Sequence, residues 1–484
     1  MCCPNSLNRD DFASLALDLD DLAVQEEPTP EVNEEYEPWA LPYREPRSVP
    51  YLDSDVDHDD LEDVERYRPG GLHPVELGDT LGNDGQYLVL HKLGHGYFST
   101  VWLCRDLNAG KYVAVKVDVS AESDPHPPES VAFMLLEKSQ EQAGRDQVVP
   151  LLDRFNIEGP NGNHFCYVLP VLGPRIPLGL LLGDDYGEAS RKVALQVVQG
   201  LEFLHKSGIC HGDLREGNIL SKLKNFDDHT ETEVMALFGQ PRLVPVKMTS
   251  GADPGPSAPS YLVKPATRID SRYLTDQVCI IDFNESYPIT SPPEYIGTPE
   301  ALLSPEIIRD TGAAGLASDI WALGWTIQGI RSCGVRFKNL PGEVVMEFDP
   351  PPPPVDYGDY MLRIVQLLGA PPDRWGEGGR EGEEDEEGEE DEEGEEDEEG
   401  EDLPPTATKP VVLRTLKKWL SPPEIVKFEN TGEEKSISIP EDELDVFVDL
   451  LSQIITYEPE ERISTSAIKD HAWFRGEWAG AKSD

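Results

Sequence analysis

Apolar residues change their spacing once along this chain, and that change limits the folds open to it. Tyr87–Gly94, Ser99–Asp106 and Tyr112–Val119 alternate or run apolar, with Gly or Asn-Ala-Gly turns between them, which is strand spacing. A helical stretch follows over Pro128–Gln140, then two more strand candidates, Val148–Gly159 and His164–Gly173. Beyond Gly173 the period is helical, as in Ala189–Gly208. Strands first and helices afterwards predict an α+β chain of two lobes, a small β-rich one over 87–172 and a large helical one over 173–474.

The rest reads as unfolded or inserted. Residues 1–66 are acidic and rich in Pro, cannot bury enough apolar area to offset chain entropy, and are expected to be disordered. Residues 67–86 form a lead-in punctuated by Gly and Pro, 222–276 an insert of little periodicity in the large lobe, and 475–484 a tail. The tract 376–402, with Gly382, Gly388, Gly394 and Gly400 among Glu and Asp, is expected to be a disordered, self-repelling loop. Over 484 residues, 93 Asp and Glu face 41 Lys and Arg, a formal net charge of −52. Such a surface repels nucleic acid phosphates and anionic membranes and attracts basic partners. Seven scattered cysteines without metal-ligand spacing suit a reducing compartment. No apolar signal core is present, nor any run of about 18 apolar residues.

Leu93-Gly94-His95-Gly96-Tyr97-Phe98-Ser99-Thr100-Val101 sets two glycines in a turn between strands, where a backbone without Cβ can approach phosphates closely. Alone it is an ordinary hairpin turn. Val113-Ala114-Val115-Lys116, two runs on, adds a cation to an apolar strand, and such a charge needs a partner. Snorkelling at the strand end is the plain reading of Lys116. The sharper one rests on a resemblance to the protein-kinase signature, which implies pairing with nucleotide α- and β-phosphates and with a helix carboxylate, Glu129 or Glu137. Glu129 is favoured, because the apolar residues after it suit a packed helix.

His211-Gly212-Asp213-Leu214-Arg215-Glu216-Gly217-Asn218-Ile219-Leu220 resembles the protein-kinase catalytic loop. Asp213 would orient a substrate hydroxyl and accept its proton, and Asn218, five residues on, would hold Mg²⁺ through its amide. Cys279-Ile280-Ile281-Asp282-Phe283-Asn284 resembles the metal-binding segment, with Asp282 as the second Mg²⁺ ligand. An Asp after a strand is commonly a turn or cap residue. Lys116, Asp213, Asn218 and Asp282 in that order make coincidence a poor explanation. Ser304-Pro305-Glu306 stands where the activation segment closes, Asp319 is expected to brace the catalytic-loop backbone, His211 to be structural, and Glu306 to form a buried pair with Arg462. His471-Ala472-Trp473-Phe474 would end the domain. The predicted architecture is a bilobal protein kinase fold over 87–474, with ATP and Mg²⁺ as cofactors.

Other segments resemble the SR-protein-specific kinases, their fungal branch in particular. They are Gly71-Leu72-His73-Pro74-Val75 with Gly78-Asp79, Val149–Phe155 with Gly159–His164, and Val171-Leu172-Gly173. Pro254-Gly255-Pro256 with Tyr261-Leu262-Val263 and the pair Glu285-Ser286 add to these, and the resemblance covers about 67–474. It implies phosphorylation of serines in arginine/serine-rich proteins, often splicing factors, by a monomer of the cytoplasm and nucleus that needs no activation-loop phosphate. The implied ATP pocket comprises Leu93, Gly94, Gly96, Ser99, Val101, Ala114, Lys116, Glu129, Leu169, Leu172 and Leu220. Four positions depart from the usual kinase pattern: Gly212 replaces the phosphate-reading arginine, Arg215 the catalytic-loop lysine, Ser99 the third glycine, and Asn284 a glycine whose positive φ Asn would have to tolerate. Leu302 stands where an aromatic is frequent. These departures motivate a rival reading, a pseudokinase or ATP-binding scaffold with an acidic docking loop. A third reading is a basic-protein chaperone built on the acidic tract.

Overall fold

The computed structural model describes residues 61–120, 127–175, 186–247, 254–266, 269–293, 296–308, 314–332, 357–369, 371–372, 409–427 and 434–478. The acidic tract 376–402 and nearly all of the acidic head lie outside the described residues. The first strands are β1 (Thr80–Leu81), β2 (Tyr87–His95), β3 (Ser99–Asp106) and β4 (Lys111–Ser120), followed by helix α1 (Pro128–Lys138). Strands β5 (Asp153–Gly159), β6 (Gly162–Pro170) and β7 (Leu172–Arg175) precede helix α2 (Tyr186–Lys206). Next come β8 (Ile209–Cys210), β9 (Ile219–Leu223), α3 (Glu231–Phe238), β10 (Arg242–Pro245), β11 (Tyr261–Lys264), β12 (Leu274–Ile280) and β13 (Tyr287–Pro288). Helices α4 (Pro305–Ile308), α5 (Leu316–Ser332), α6 (Tyr357–Leu368), α7 (Lys409–Leu420) and α8 (Glu441–Ile454) follow.

The chain forms two compact units, and the first holds Met1–Pro125, Pro150–Pro174 and Leu223–Leu274. Its six-stranded antiparallel sheet runs β1-β2-β3-β4-β6-β5. Alternation along β4 sends Val113, Val115 and Val117 to one face, where they join Trp102, Cys104, Cys166 and Val168 in a buried cluster. Leu88, Leu90, Leu103 and Tyr112 are covered instead by Phe226, Val234, Met235 and Phe238 of the insert. The insert expected in the large lobe thus belongs to the first unit, because its apolar residues complete that unit's core. Its helix α3 has eight residues, too few for a periodic signal. Its legible trace is the capping box, in which Thr230 and Glu233 bond each other's backbone.

Order also begins before residue 67. Glu62, within the stretch expected to be disordered, is buried and paired with the buried Lys92 of β2, and the Tyr67 hydroxyl donates to Glu62 Oε1 at 2.7 Å. One buried pair leaves no mark on the composition of an acidic run. Asn161 Nδ2 donates to Leu72 O at 2.6 Å and to Ser257 O at 2.7 Å, joining the lead-in, the β5–β6 turn and the insert.

The second unit holds His126–Val149, Arg175–Lys222 and Thr275–Asp484. Helix α5 is buried along nearly its whole length, with Trp321 and Trp325 fully enclosed. Arg331 at its end donates Nε and Nη2 to the two Glu443 carboxylate oxygens at 2.7 Å each, and Trp473 Nε1 adds a bond to Glu443 Oε1 at 3.0 Å. Helix α1 clusters here rather than with the strand-rich residues 87–172, since Phe133 packs 5.5 Å from Phe283, centroid to centroid. No described helix is long and apolar enough to cross a membrane.

Removing one partner of a buried pair leaves an uncompensated charge, so Glu62→Ala is expected to destabilise the first unit by about 3–5 kcal/mol. Adding Lys92→Met should recover most of that loss, read from urea unfolding midpoints. His73 supplies a pH dependence. Burial, helped by His164 4.8 Å away, pushes it from 6.5 down to about 4. Between those values the unfolded chain binds a proton that the folded one refuses, so stability falls as pH drops from 6.5 to about 4. His73→Gln should flatten that fall, measured as melting temperature at pH 7 and pH 5.

Candidate active site

The catalytic loop hangs from the carboxylate of Asp319, in the first turn of α5. Burial raises its pKa, but His205, His211 and the Gly212 N–H outweigh burial and hold it below the usual carboxylate range. Oδ2 accepts from the His211 N–H at 2.7 Å and from His205 Nε2 at 3.0 Å, and Oδ1 accepts from the Gly212 N–H at 3.0 Å. His211 Nδ1 in turn accepts from the Asp213 N–H at 3.2 Å. The ring proton therefore sits on Nε2, which donates to Ile281 O at 3.1 Å, beside the metal-binding segment.

Asp213 Oδ2 accepts from Asn218 Nδ2 at 2.8 Å and from Arg215 Nε at 3.0 Å. Asn218 Nδ2 also donates to Asp213 O at 2.8 Å, which leaves the amide oxygen of Asn218 as its ligand atom. Asp213 Oδ1 is buried and makes no hydrogen bond, an acceptor that the protein leaves unused. The Ile281 N–H donates to Asn218 O at 2.9 Å, tying the approach to Asp282 to the loop. Asp282 itself has φ +68°, one of two positive values among the described non-glycine residues; Asn284 is not the other. The expectation that Asn284 must tolerate positive φ is corrected: the turn bends at Asp282, and the Asn in place of glycine carries no such strain.

Gly212 has φ +78°, and a Cβ there would lie 2.1 Å from Glu285 O. The Thr298 hydroxyl donates to Gly212 O, and the Glu285 carboxylate accepts from the Gly297 N–H at 2.7 Å. Gly212 is required by this close approach between catalytic loop and activation segment, a constraint with no signal in the sequence. Glu306 and Arg462 meet as foreseen, through parallel bonds of 2.7 Å from Nη1 and Nη2 to the two carboxylate oxygens.

The first unit holds the phosphate-binding candidates. Val101 faces Lys116 across the β3–β4 ladder, and Ala114 faces Leu169 across β4–β6. Directly opposed residues share a face, so Gly94, Val101, Ala114, Lys116 and Leu169 line one side of the sheet. Lys116 is buried within β4, away from either end, which removes the strand-end reading. Gly94 and Gly96 have ordinary φ, and a Cβ on either meets no protein atom within 4 Å. The protein itself sets no steric demand for glycine there, and the open space over the turn leaves room for a polyphosphate. Ser99 is buried at the turn's far end, and Leu93 and Leu172 are half-buried. In the second unit Glu129 is buried in the first turn of α1 while Glu137 is exposed in its last, and Leu220 is half-buried. Lys116 and the glycine turn thus belong to one unit, and Glu129, Asp213, Arg215, Asn218, Leu220 and Asp282 to the other.

Residues 87–228 match the protein kinase domain family. SRSF protein kinase 3 of Homo sapiens is 37% identical over 186 residues, covering 34% of this chain and 30% of the relative. Protein kinase dsk1 of Schizosaccharomyces pombe is 37% identical over 172 residues, 33% of this chain and 30% of the relative. The matched stretch is similar to protein kinase domains, among them that of an SRSF protein kinase. Serine/threonine-protein kinase spk-1 of Caenorhabditis briggsae is 35% identical over 219 residues, 43% of this chain. The matches span between 19% and 30% of these relatives' own lengths. The β-rich first unit and helical second unit are those of this kinase fold.

Gly212→Ala is expected to destabilise the second unit by about 2 kcal/mol, since positive φ alone costs a residue with a Cβ roughly 1–2 kcal/mol and the contact with Glu285 adds to it. Hydrogen exchange should quicken in residues 209–220 and 285–298 together.

Proposed function

We propose that this chain is an ATP- and Mg²⁺-dependent serine/threonine protein kinase acting on basic, arginine/serine-rich proteins of the splicing-factor type, without needing an activation-loop phosphate. One observation carries the reading: Asp213 Oδ1 is buried and unbonded while Oδ2 is held by Asn218 and Arg215. A serine hydroxyl donating to the Asp213 carboxylate would be oriented for attack on the γ-phosphorus. As the new P–O bond forms and the bond to ADP breaks, Asp213 takes the hydroxyl proton. Arg215, fixed beside Asp213, supplies positive charge to the transferring phosphoryl group where a lysine is customary.

Mg²⁺, when bound, neutralises phosphate charge, and the Asn218 amide oxygen with the Asp282 carboxylate would hold it, both being hard oxygen donors. Among the described residues no group of three or more His, Cys, Asp or Glu is arranged to hold a metal. Phosphate oxygens and water must therefore complete the shell, as suits a metal that arrives with its nucleotide.

The basic substrate class is supported by the net charge of −52 and by the name of one relative, SRSF protein kinase 3. Independence from an activation-loop phosphate is supported by the bonds from Thr298 to Gly212 and from Gly297 to Glu285, which hold the segment without a phosphate reader. Action as a monomer in cytoplasm and nucleus, away from membranes and nucleic acid, belongs to the same proposal.

The test is incorporation of radiolabelled phosphate from ATP into an arginine/serine peptide. Wild type should label it, and Asp213→Asn should fall by about 100-fold or more. Equal labelling by both proteins, or none by wild type, would return the chain to the scaffold reading.

A further inference from the structure

The glycine-rich turn is held by residues that precede the kinase-domain match, which begins at Tyr87. The segment Leu61–Leu72 folds back on itself, with the Leu72 N–H donating to Arg66 O at 2.8 Å and the Gly71 N–H to Arg68 O at 2.8 Å. A Cβ on Gly71 would lie 2.0 Å from Arg66 O, so this return needs glycine. Tyr67 and Leu72, flanked by Leu61 and Val64, bury against Val246 and Leu262 of the insert. The Ser120 N–H, at the end of β4, donates to Gly71 O at 3.0 Å.

From that seat two side chains reach the turn. Glu62 grips Lys92, at the turn's base. The Arg66 guanidinium lies 3.5 Å from the ring centroid of Tyr97, at the turn's tip. Tyr97 is otherwise 55% exposed and packs edge-on against Phe98 at 4.9 Å. Tyr97 and Phe98 are both exposed, so beyond the backbone bonds from the Gly96 N–H to Ser99 O at 2.9 Å and from the Val119 N–H to Phe98 O at 2.8 Å the tip has little side-chain packing. A loop so lightly held takes its position from the few contacts it has.

We propose that Arg66 is a positioning residue: the lead-in reaches over the glycine-rich turn, fixes Tyr97 at its tip, and so sets how tightly the turn closes on nucleotide phosphates. The proposal rests on the kinase reading above. Arg66 acts through Tyr97 and touches no reacting atom.

The test uses the full chain as wild type, Arg66→Ala, Arg66→Lys, Tyr97→Leu and the Arg66→Ala/Tyr97→Leu double variant. Binding of ADP with Mg²⁺ is measured by calorimetry, and the KM for ATP against kcat by peptide phosphorylation. An exposed cation–π contact predicts that Arg66→Ala weakens ADP binding and raises the KM for ATP about two- to fivefold, with kcat altered less. Arg66→Lys should restore part of the affinity, Tyr97→Leu should match the alanine loss, and the double variant should lose no more than either single. Unchanged binding in Arg66→Ala, losses that multiply in the double variant, or a fall confined to kcat would each overturn the proposal. A wild-type chain that binds no ADP defeats the kinase reading and this one with it. A wild type that binds, with Arg66→Ala indistinguishable from it, defeats this one alone.

Discussion

One buried carboxylate governs the chemistry of the second unit. An ionised group taken out of water is costly unless nearly every lone pair is used, and Asp319 meets that condition with three N–H donors from His205, His211 and Gly212. Two of the three are consecutive backbone groups, so the bonds fix the chain direction at the start of the catalytic loop. The Asp213 N–H then has only His211 Nδ1 to meet, and the His211 proton is left for the Ile281 carbonyl. A single anion thereby orders the loop, the tautomer of its histidine, and the strand end that presents Asp282. Removing the charge would loosen all of these together, and the same donors keep the carboxylate ionised despite its burial.

The positions that look like losses are relocations of strain. Gly212 stands where an arginine is customary, yet the approach of Glu285 leaves room for no side chain. Asn284 stands where glycine is customary, yet the positive φ falls on Asp282. An aspartate tolerates that region better than most residues, and the bonds around Ile281 and Ser286 hold it there. Neither change touches Lys116, Asp213, Asn218 or Asp282, so neither by itself argues for a scaffold without catalysis.

What was legible in the sequence was what short-range chemistry fixes. Asp213 and Asn218 are separated by one loop whose geometry demands that spacing, and their mutual bond of 2.8 Å follows from it. Glu129 could be preferred over Glu137 because the apolar residues after it give α1 a packed face, and the structure buries only Glu129. What was illegible depends on partners far along the chain. Glu62 and Lys92 are thirty residues apart, and nothing local distinguishes Glu62 from the acids around it. The insert carried a capping box but no period, and the strands that Phe226 and Phe238 would meet are recognisable only when folded.

The same long-range contacts bear on where the folding unit ends. The kinase-domain match covers 87–228, yet the core around Trp102 and Val115 includes Val75 and Leu77 before it and Val263 after it. The cluster around Leu90 and Leu103 likewise draws on Val234, Met235 and Phe238 beyond residue 228. A sheet with two apolar faces is stable only when both are covered, and here the lead-in and insert supply much of that cover. A fragment cut at the boundaries of the match would expose both clusters to water. The lead-in and insert are therefore parts of the first unit's core, and Glu62, just before the lead-in, is inside because Lys92 is.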